Sequence, residues 1–336
     1  MNKLMTHVLL AAALVAPTAG SFAQSPSTSP GQAPASAAWP ARPVRLVVPQ
    51  AAGGATDVFA RYMAQRLSTT WGQPVVVDNR VGASGVVGTD IVAKSPADGY
   101  TLLLTYAGSQ AVNQSLFSKL PFDSVKDFTT VATVATTPFF LVVGVNSPIR
   151  DFRDLVARAK AAPGKTTYAT SGSGSINHLL SESLKVEAGI DMVHVPYKAI
   201  AAAMTDVIAG NVDNAFAAVP SAIQLIRGGK LRALAVSSAR RNGGLPDVPA
   251  IAELGYPQFD VSPWWGILAP AALPKPILDK INADVAQVLA SPEAAQFFRG
   301  QGAEPLVTSA DQFHRLLEGD VVKWAKVVKA SGAKLD

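Results

Sequence analysis

Two short stretches hold the residue types best suited to chemistry: "PQAAGGATD" (49–57) and "SGSGSINH" (171–178). Each follows an apolar run and precedes a segment with helical spacing, so each is read as a turn from a strand into a helix N-terminus. Glycines there bare the backbone, and the unpaired N–H groups and positive dipole end of the helix suit an anion. In the second stretch Ser171, Ser173 and Ser175 add hydroxyls around one spot, enough to hold a carboxylate without a formal charge. Plainer readings stand beside these. Thr56 or Asp57 serves equally as a helix cap, and the second stretch as a flexible loop with a serine cap. His178, one turn into its helix, either reaches a cleft or is a partly buried, hydrogen-bonded histidine.

Other chemistries find less support. The first loop has neither the G-x-G-x-x-G spacing nor the Lys followed by Ser or Thr that a phosphate loop needs. Gly172, Ser173 and Gly174 do not fit G-x-S-x-G, and nothing supplies a third member for Ser173 with His178 or His194, so an exported serine hydrolase is kept only as a rival. His178, His194 and His314 are scattered without an H-E-x-x-H, and neither a metal nor a cofactor is expected. Trp264 and Trp265 either line a cleft or pack a hinge.

The chain opens with Lys3, the apolar "VLLAAALVA" and the small residues of "SFAQ" before Gln24, the pattern of a secretory signal peptide (1–23) cleaved near Ala23. The uncharged segment that follows, to residue 41, reads as a disordered linker. Cysteine is absent, which excludes disulfides, thiolate metal sites and a lipid-anchoring thiol and fits a bacterial periplasm. The formal charge is +5 and its Lys and Arg are dispersed, which disfavours nucleic acid and leaves a mild field that attracts small anions.

Strand-like and helix-like segments alternate, predicting an α/β fold. "VRLVV" (44–48), a helix, "PVVVDN" (74–79), the Gly-punctuated turn "RVGASG", a helix over 86–93 and "YTLLLTY" (100–106) form one βαβαβ unit. "TTPFFLVVGV" (136–145) is a long connecting strand, and a helix capped by Asp151 or Ser147 follows. "TTYATSG" (166–172), "MVHVPY" (192–197), "VDNAFAAV" (212–219) and "LRALAVSS" (231–238), with intervening helices, form a second unit, before "DVSPWWGILAP" (260–270) and a helical wrap. The expectation is a two-lobed binding-protein fold, each lobe a mostly parallel sheet flanked by helices, with a ligand cleft between them. Lobe 1 comprises 42–143 plus 262–336 and lobe 2 comprises 144–261. Ligands in such sheets sit beyond the carboxyl ends of the strands, where both Gly-rich loops fall.

Over nearly the whole length from Trp39 to Asp336 the chain resembles the Bug family, the periplasmic solute-binding components of tripartite tricarboxylate transporters. The resemblance is carried by "WPARPVRLVVPQAAGGATDVFAR", "GQPVVVDNRVGASGVVGTDIVAKSPADGYTLLL", "LPFDSVKDFTTVA", "SGSGSINHL", "VHVPYKA", "GNVDNAFAAVPSA", "GKLRALAVSSARR", "LPDVPAIAELG", "WWGILAP" and "WAKVVKASGAKLD". It implies a periplasmic, monomeric protein that closes on a small carboxylate and hands it to membrane permease subunits, without catalysis. Contacts carried over by position fall on Gln50, Ala51, Gly53, Gly54, Thr56 and Asp57 in the first lobe. In the second they fall on Ser171, Ser173, Gly174, Ser175 and His178, with Tyr197, Ser109 and Phe216 bordering the ligand. Two features depart from the family pattern. Ala199 replaces a glycine after "YK", and Ala217 and Ala218 stand where relatives frequently carry Asp-Asn. The missing acid favours a ligand without an amino group, a dicarboxylate or aromatic carboxylate, because a buried cation needs a partner. A sensing protein that delivers its ligand to a signalling receptor is the alternative.

Overall fold

The computed structural model describes residues 39–332; the signal-peptide assignment, and most of the linker, lie outside them. Two mixed sheets carry the fold. The first contains β1 (Val44–Val48), β2 (Val75–Asn79), β3 (Thr101–Tyr106), β4 (Phe128–Thr136), β10 (Trp264–Pro270) and β11 (Glu304–Pro305), in the order β11-β4-β10-β3-β1-β2. The second contains β5 (Phe139–Gly144), β6 (Thr166–Thr170), β7 (Met192–Pro196), β8 (Asn214–Ala218) and β9 (Leu231–Val236), in the order β7-β6-β8-β5-β9. Each sheet is built around one parallel triplet, β2-β1-β3 and β7-β6-β8, so the two halves share a topology. Antiparallel pairing by β10 and β4 in the first sheet and β5 in the second accounts for the rest. The sheets are therefore less uniformly parallel than strand-helix alternation suggests, since strands crossing between halves run back against the triplets.

Three boundaries differ from those read in the sequence. The expected strand over 136–145 is two strands, β4 and β5, and β4 was not anticipated because "TTVATVA" alternates weakly polar with small apolar residues. The break falls at Thr137 and Pro138; proline lacks the N–H that a ladder would need. β5 consequently belongs to the second sheet, and the crossover lies before Phe139 rather than after 143. At the start, residues 39–41 are packed rather than linker. Trp39 meets Trp71 edge-on at 4.9 Å, and Ala41 N–H donates to the Tyr100 hydroxyl at 2.9 Å.

Helices α1 (Ala55–Trp71), α2 (Val86–Ala93), α3 (Asn113–Leu116), α8 (Lys275–Leu289), α9 (Pro292–Gly300) and α10 (Ala310–Ser331) accompany the first sheet. The second has α4 (Phe152–Ala161), α5 (Ile176–Ala188), α6 (Ile200–Ala209) and α7 (Val219–Arg227). α1 buries Phe59, Met63 and Leu67 in a core with Leu46, Leu102, Ile267 and Phe298. The largest core runs through both halves, joining Leu103, Leu141, Tyr168, Leu180 and Phe216 to Phe313, Leu317 and Trp324 of α10. α10 is thus an apolar strap that packs on β4 and α3 of the first half and on α5 of the second.

Trp264 is fully buried at this junction, edge-on to Phe313 at 4.8 Å and donating to Asp320 Oδ2 at 2.8 Å. Next to it, Gly266 lets the Phe313 ring rest directly on β10: an added Cβ would stand 2.4 Å from Cζ of that ring and 3.2 Å from the Ala132 carbonyl oxygen. Gly266→Val is expected to lower stability by about 1 to 3 kcal/mol or more through overpacking. A reduced urea midpoint with an unchanged slope would show it, and an unchanged midpoint would contradict the packing described.

Candidate functional site

Beyond the carboxyl ends of the parallel triplets, residues of 80–85 and of the turn after β3 from the first sheet and of 171–175 from the second line one cavity, with 49–54 joined to it through Gln50 and Ser109 and Tyr197 lying beside Gly172. In the 49–54 loop Gly53 turns left-handed at φ +81° and donates its N–H to Asp57 Oδ2 at 2.9 Å, while Gly54 donates to the Ala51 carbonyl at 3.3 Å. The two glycines therefore shape the loop and spend their own amides within it. Asp57 is buried and fully engaged, with Arg61 at 2.9 Å on Oδ2 and Asn79 Nδ2 at 3.0 Å on Oδ1. Burial alone would raise its pKa, but the bonds from Arg61, Gly53 and Asn79 hold the carboxyl below its ordinary value. It acts as the brace of the loop. What the loop leaves open are the first-turn amides of α1, Ala55, Thr56 and Asp57, which no intrahelical carbonyl reaches.

Gln50 and Ser109 meet directly. Gln50 Nε2 donates to Ser109 Oγ at 2.8 Å, and Ser109 donates to the Ser84 carbonyl at 3.0 Å, which also receives Asn113 Nδ2 at 3.0 Å. Gln50 Oε1 is buried without a partner. The relay ends on a turn that sequence reading marked only as Gly-punctuated. Gly82, Ala83, Ser84 and Gly85 lie successively at φ +152°, +44°, +53° and +97°. Left-handed Ala83 and Ser84 each cost on the order of 1 to 3 kcal/mol, a strain that concentrates at ligand clamps. A side chain at Gly85 would strike Ser109 Oγ at 2.6 Å. Beyond β3 the backbone makes a π-helical turn over Gly108–Val112, a distortion common at functional sites.

Across from it, Ser171 Oγ and Ser175 Oγ both donate to Asn177 Oδ1, at 3.1 and 2.6 Å, and Ser175 Oγ is 2.5 Å from the Gly172 carbonyl. These hydroxyls close the loop on itself, and Ser175, the N-cap of α5, does not cap the helix with its side chain. Gly174 donates its N–H to His178 Nδ1 at 3.1 Å. A cavity of about 190 Å3 separates the halves here, lined by Ser84, Tyr106, Gly108 and Asn113 on one side and Ser173, Gly174 and Ser175 on the other. Its walls carry no charged side chain. Burial pushes the Tyr106 phenol up, against a smaller opposing effect of its bond with Ser109, so it stays neutral.

The remaining expected residues are placed less directly. Thr56 Oγ1 accepts from Trp265 Nε1 at 3.0 Å, and Trp265 stacks over Tyr106 at 6.2 Å, so Trp265 supports the site from below while Trp264 packs the core. Tyr197 follows β7; its N–H donates to the Thr170 carbonyl and its hydroxyl to Asp206 at 2.5 Å. Phe216 does not border the site. It sits in the middle of β8, fully buried and stacked on Phe259 at 6.4 Å, because its side of the strand faces the shared core. His178 is buried beneath its loop. Among the described residues Ser173 has no hydrogen bond to His178 or His194, whose Nδ1 and Nε2 engage Gly174 and Thr170 instead. Among those residues no cluster of three or more His, Cys, Asp or Glu converges as a metal site, and no helix is long and apolar enough to cross a membrane. Ser84 and Asn113 were missed, although the rule that located the other loops, ligands beyond the carboxyl ends of parallel strands, also applies to β2 and β3.

Comparisons with known proteins show the family of the chain. The model of the tripartite tricarboxylate transporter family receptor matches residues 59–333. Protein BugT of Bordetella pertussis is 40% identical over 305 residues, covering 90% of this chain and 94% of BugT. The structure of R. palustris Rpa4515 with adipate is similar at a TM-score of 0.72 and 37% identity, over 88% of this chain and 99% of that one. MatC from Rhodopseudomonas palustris with bound malate gives 0.68 and 30%, over 86% and 100%. With its two matched triplets and the connections that meet between them, the chain belongs to the tripartite tricarboxylate transporter receptor family, the periplasmic solute-binding Bug proteins.

Proposed function

We propose that this protein captures a small dicarboxylate between its two halves and delivers it to membrane permease subunits, without catalysis. The observation that carries this reading is the pair of uncapped helix starts that follow the two Gly-rich loops. α1 and α5 have no side-chain cap, a feature they share with α2, α3, α6, α7 and α8 but not with α4, α9 and α10, and what sets the two apart is that each begins directly after one of the Gly-rich loops. Their first-turn amides form two donor sets from opposite halves, each at the positive end of a helix dipole. A carboxylate accepts such bonds more strongly than a neutral group does. Two relatives are described with adipate and with malate, both of which carry two carboxylates.

Uncharged walls discriminate as well as bind. Ala218 ends β8 at the site's edge, half-buried, and Ala217 is fully buried, so no acid is offered there to a ligand ammonium. Closure of the halves on the ligand follows if both donor sets engage only in the closed state, since a ligand shifts an equilibrium by its differential affinity. Export through the signal peptide would place the protein where permease subunits are met.

Calorimetric titration against malate, adipate, citrate, glucose and lysine is expected to give binding for at least one of the carboxylates and none for the sugar or the cation. Binding of glucose or lysine alone would overturn the reading. Gly53→Val, which forces a β-branched residue into a left-handed turn and displaces the Asp57 brace, is expected to weaken carboxylate binding at least about tenfold, about 1.4 kcal/mol, while the far-ultraviolet dichroism is preserved. Ala218→Asp is expected to weaken malate or adipate binding by a similar factor through like-charge repulsion, and an unchanged affinity would remove Ala218 from the site.

A further inference from the structure

Beneath the 171–175 loop three rings are stacked: Tyr168 of β6, His194 of β7 and His178 of α5. Centroids are 5.1 Å apart between Tyr168 and His194 and 4.1 Å between the histidines. Both histidines end on the loop. His178 Nδ1 accepts the Gly174 N–H at 3.1 Å. His194 Nε2 lies 2.6 Å from Thr170 Oγ1, and that oxygen accepts the Gly172 N–H at 3.1 Å. Gly172 and Gly174 are left-handed, at φ +116° and +75°, so each bond fixes a residue that would otherwise have wide conformational freedom. Ser173, which lines the cavity, lies between these two fixed points.

We propose that His178 and His194 are positioning residues that hold the second-half loop in its ligand-receiving arrangement only while both rings are neutral, so that acidification loosens the loop and releases the bound carboxylate. The release step rests on the carboxylate reading; the loop's dependence on the histidines does not.

The sign follows from the donor inventory. A neutral imidazole offers His178 Nδ1 as an acceptor, whereas the imidazolium has none and would set two N–H donors against each other. Two charged rings 4.1 Å apart would also repel. Burial lowers the pKa of both, and for His194, which also feels His178, down to about 4. The other ionisable groups facing the stack are Glu182 and Lys185 of α5, Asp191 before β7 and the Tyr168 phenol. Glu182 accepts from the Tyr168 hydroxyl and from Lys185 at 3.0 Å, and Lys185 lies 3.7 Å from Asp191. Glu182 favours protonation of the rings and Lys185 opposes it. With folded pKa values below the ordinary histidine value of about 6.5, the unfolded loop binds more protons in the interval. Its stability is full above that value and is lost as pH falls through the folded pKa.

The test compares wild type, His178→Asn and His178→Leu. Asparagine restores an acceptor near the Nδ1 position and cannot titrate; leucine removes it. Without ligand, hydrogen exchange of the Gly174 amide, corrected for intrinsic rate, is followed from about pH 7.5 to about pH 4.5. Calorimetry uses adipate and malate as probes across the same range. Wild type is expected to lose Gly174 protection and probe affinity about tenfold or more on acidification, beyond the change in His178→Asn, which carries the probes' own protonation as a shared background. His178→Leu is expected to lose both already at neutral pH, with rescue by asparagine. Matching pH profiles for wild type and His178→Asn would overturn the proposal, and this comparison stands even if the leucine variant does not fold. If neither probe binds at any pH while Gly174 protection still follows His178, the loop mechanism holds and the carboxylate reading fails.

Discussion

Unpaired backbone amides at two helix starts are the constraint around which the rest of this structure is arranged. An uncapped helix end costs roughly a capping bond, about 1 kcal/mol, and α1 and α5 accept that cost, as do α2, α6, α7 and α8, whereas α4, α9 and α10 do not. α1 starts from Gly54, which has no side chain to cap with, and the N-cap of α5, Ser175, turns its hydroxyl away. Asp57 braces Gly53, and Ser175 closes its own loop on Gly172 and Asn177. Each half thus builds a rigid frame from its own polar groups and leaves donors facing outward.

Rigidity matters because the donors carry only partial charge. A formal cation attracts a carboxylate from many directions, whereas N–H groups hold it only when several point at one place. This explains the density of bracing around the site: the relay from Gln50 through Ser109 to the Ser84 carbonyl, the strained Ala83–Ser84 turn, and the stacked rings beneath the second loop. It also fits walls without charge, where selectivity depends on shape rather than ion pairing.

Much of the framework was legible in the sequence because the period of apolar residues switches sharply from strand to helix at Val48 and Thr170, with glycines marking each turn. Other features were hidden for physical reasons. Nothing in "ASG" favours the left-handed backbone that Ala83 and Ser84 adopt; the turn is held by bonds from distant Ser109 and Asn113 to the Ser84 carbonyl. Phe216 was misassigned because neighbours on a strand face opposite ways: it enters the shared core while Ala217 enters the outer core of the second half. His194 was not linked to its loop, since only the parallel register, which sets Tyr168 opposite His194, brings it under Gly172. The assignment of free donors to the glycines erred for a related reason, because helix-start amides stay unpaired whatever residue supplies them.

Backbone capture by both halves at once is most directly tested by amide resonances followed while malate or adipate is titrated into the labelled protein. The amides of residues 55–57 and of 176–178 are expected to shift downfield together, with one midpoint, as both sets bond a single anion. Shifts confined to one of the two helix starts, or separate midpoints for each, would contradict the two-sided clamp.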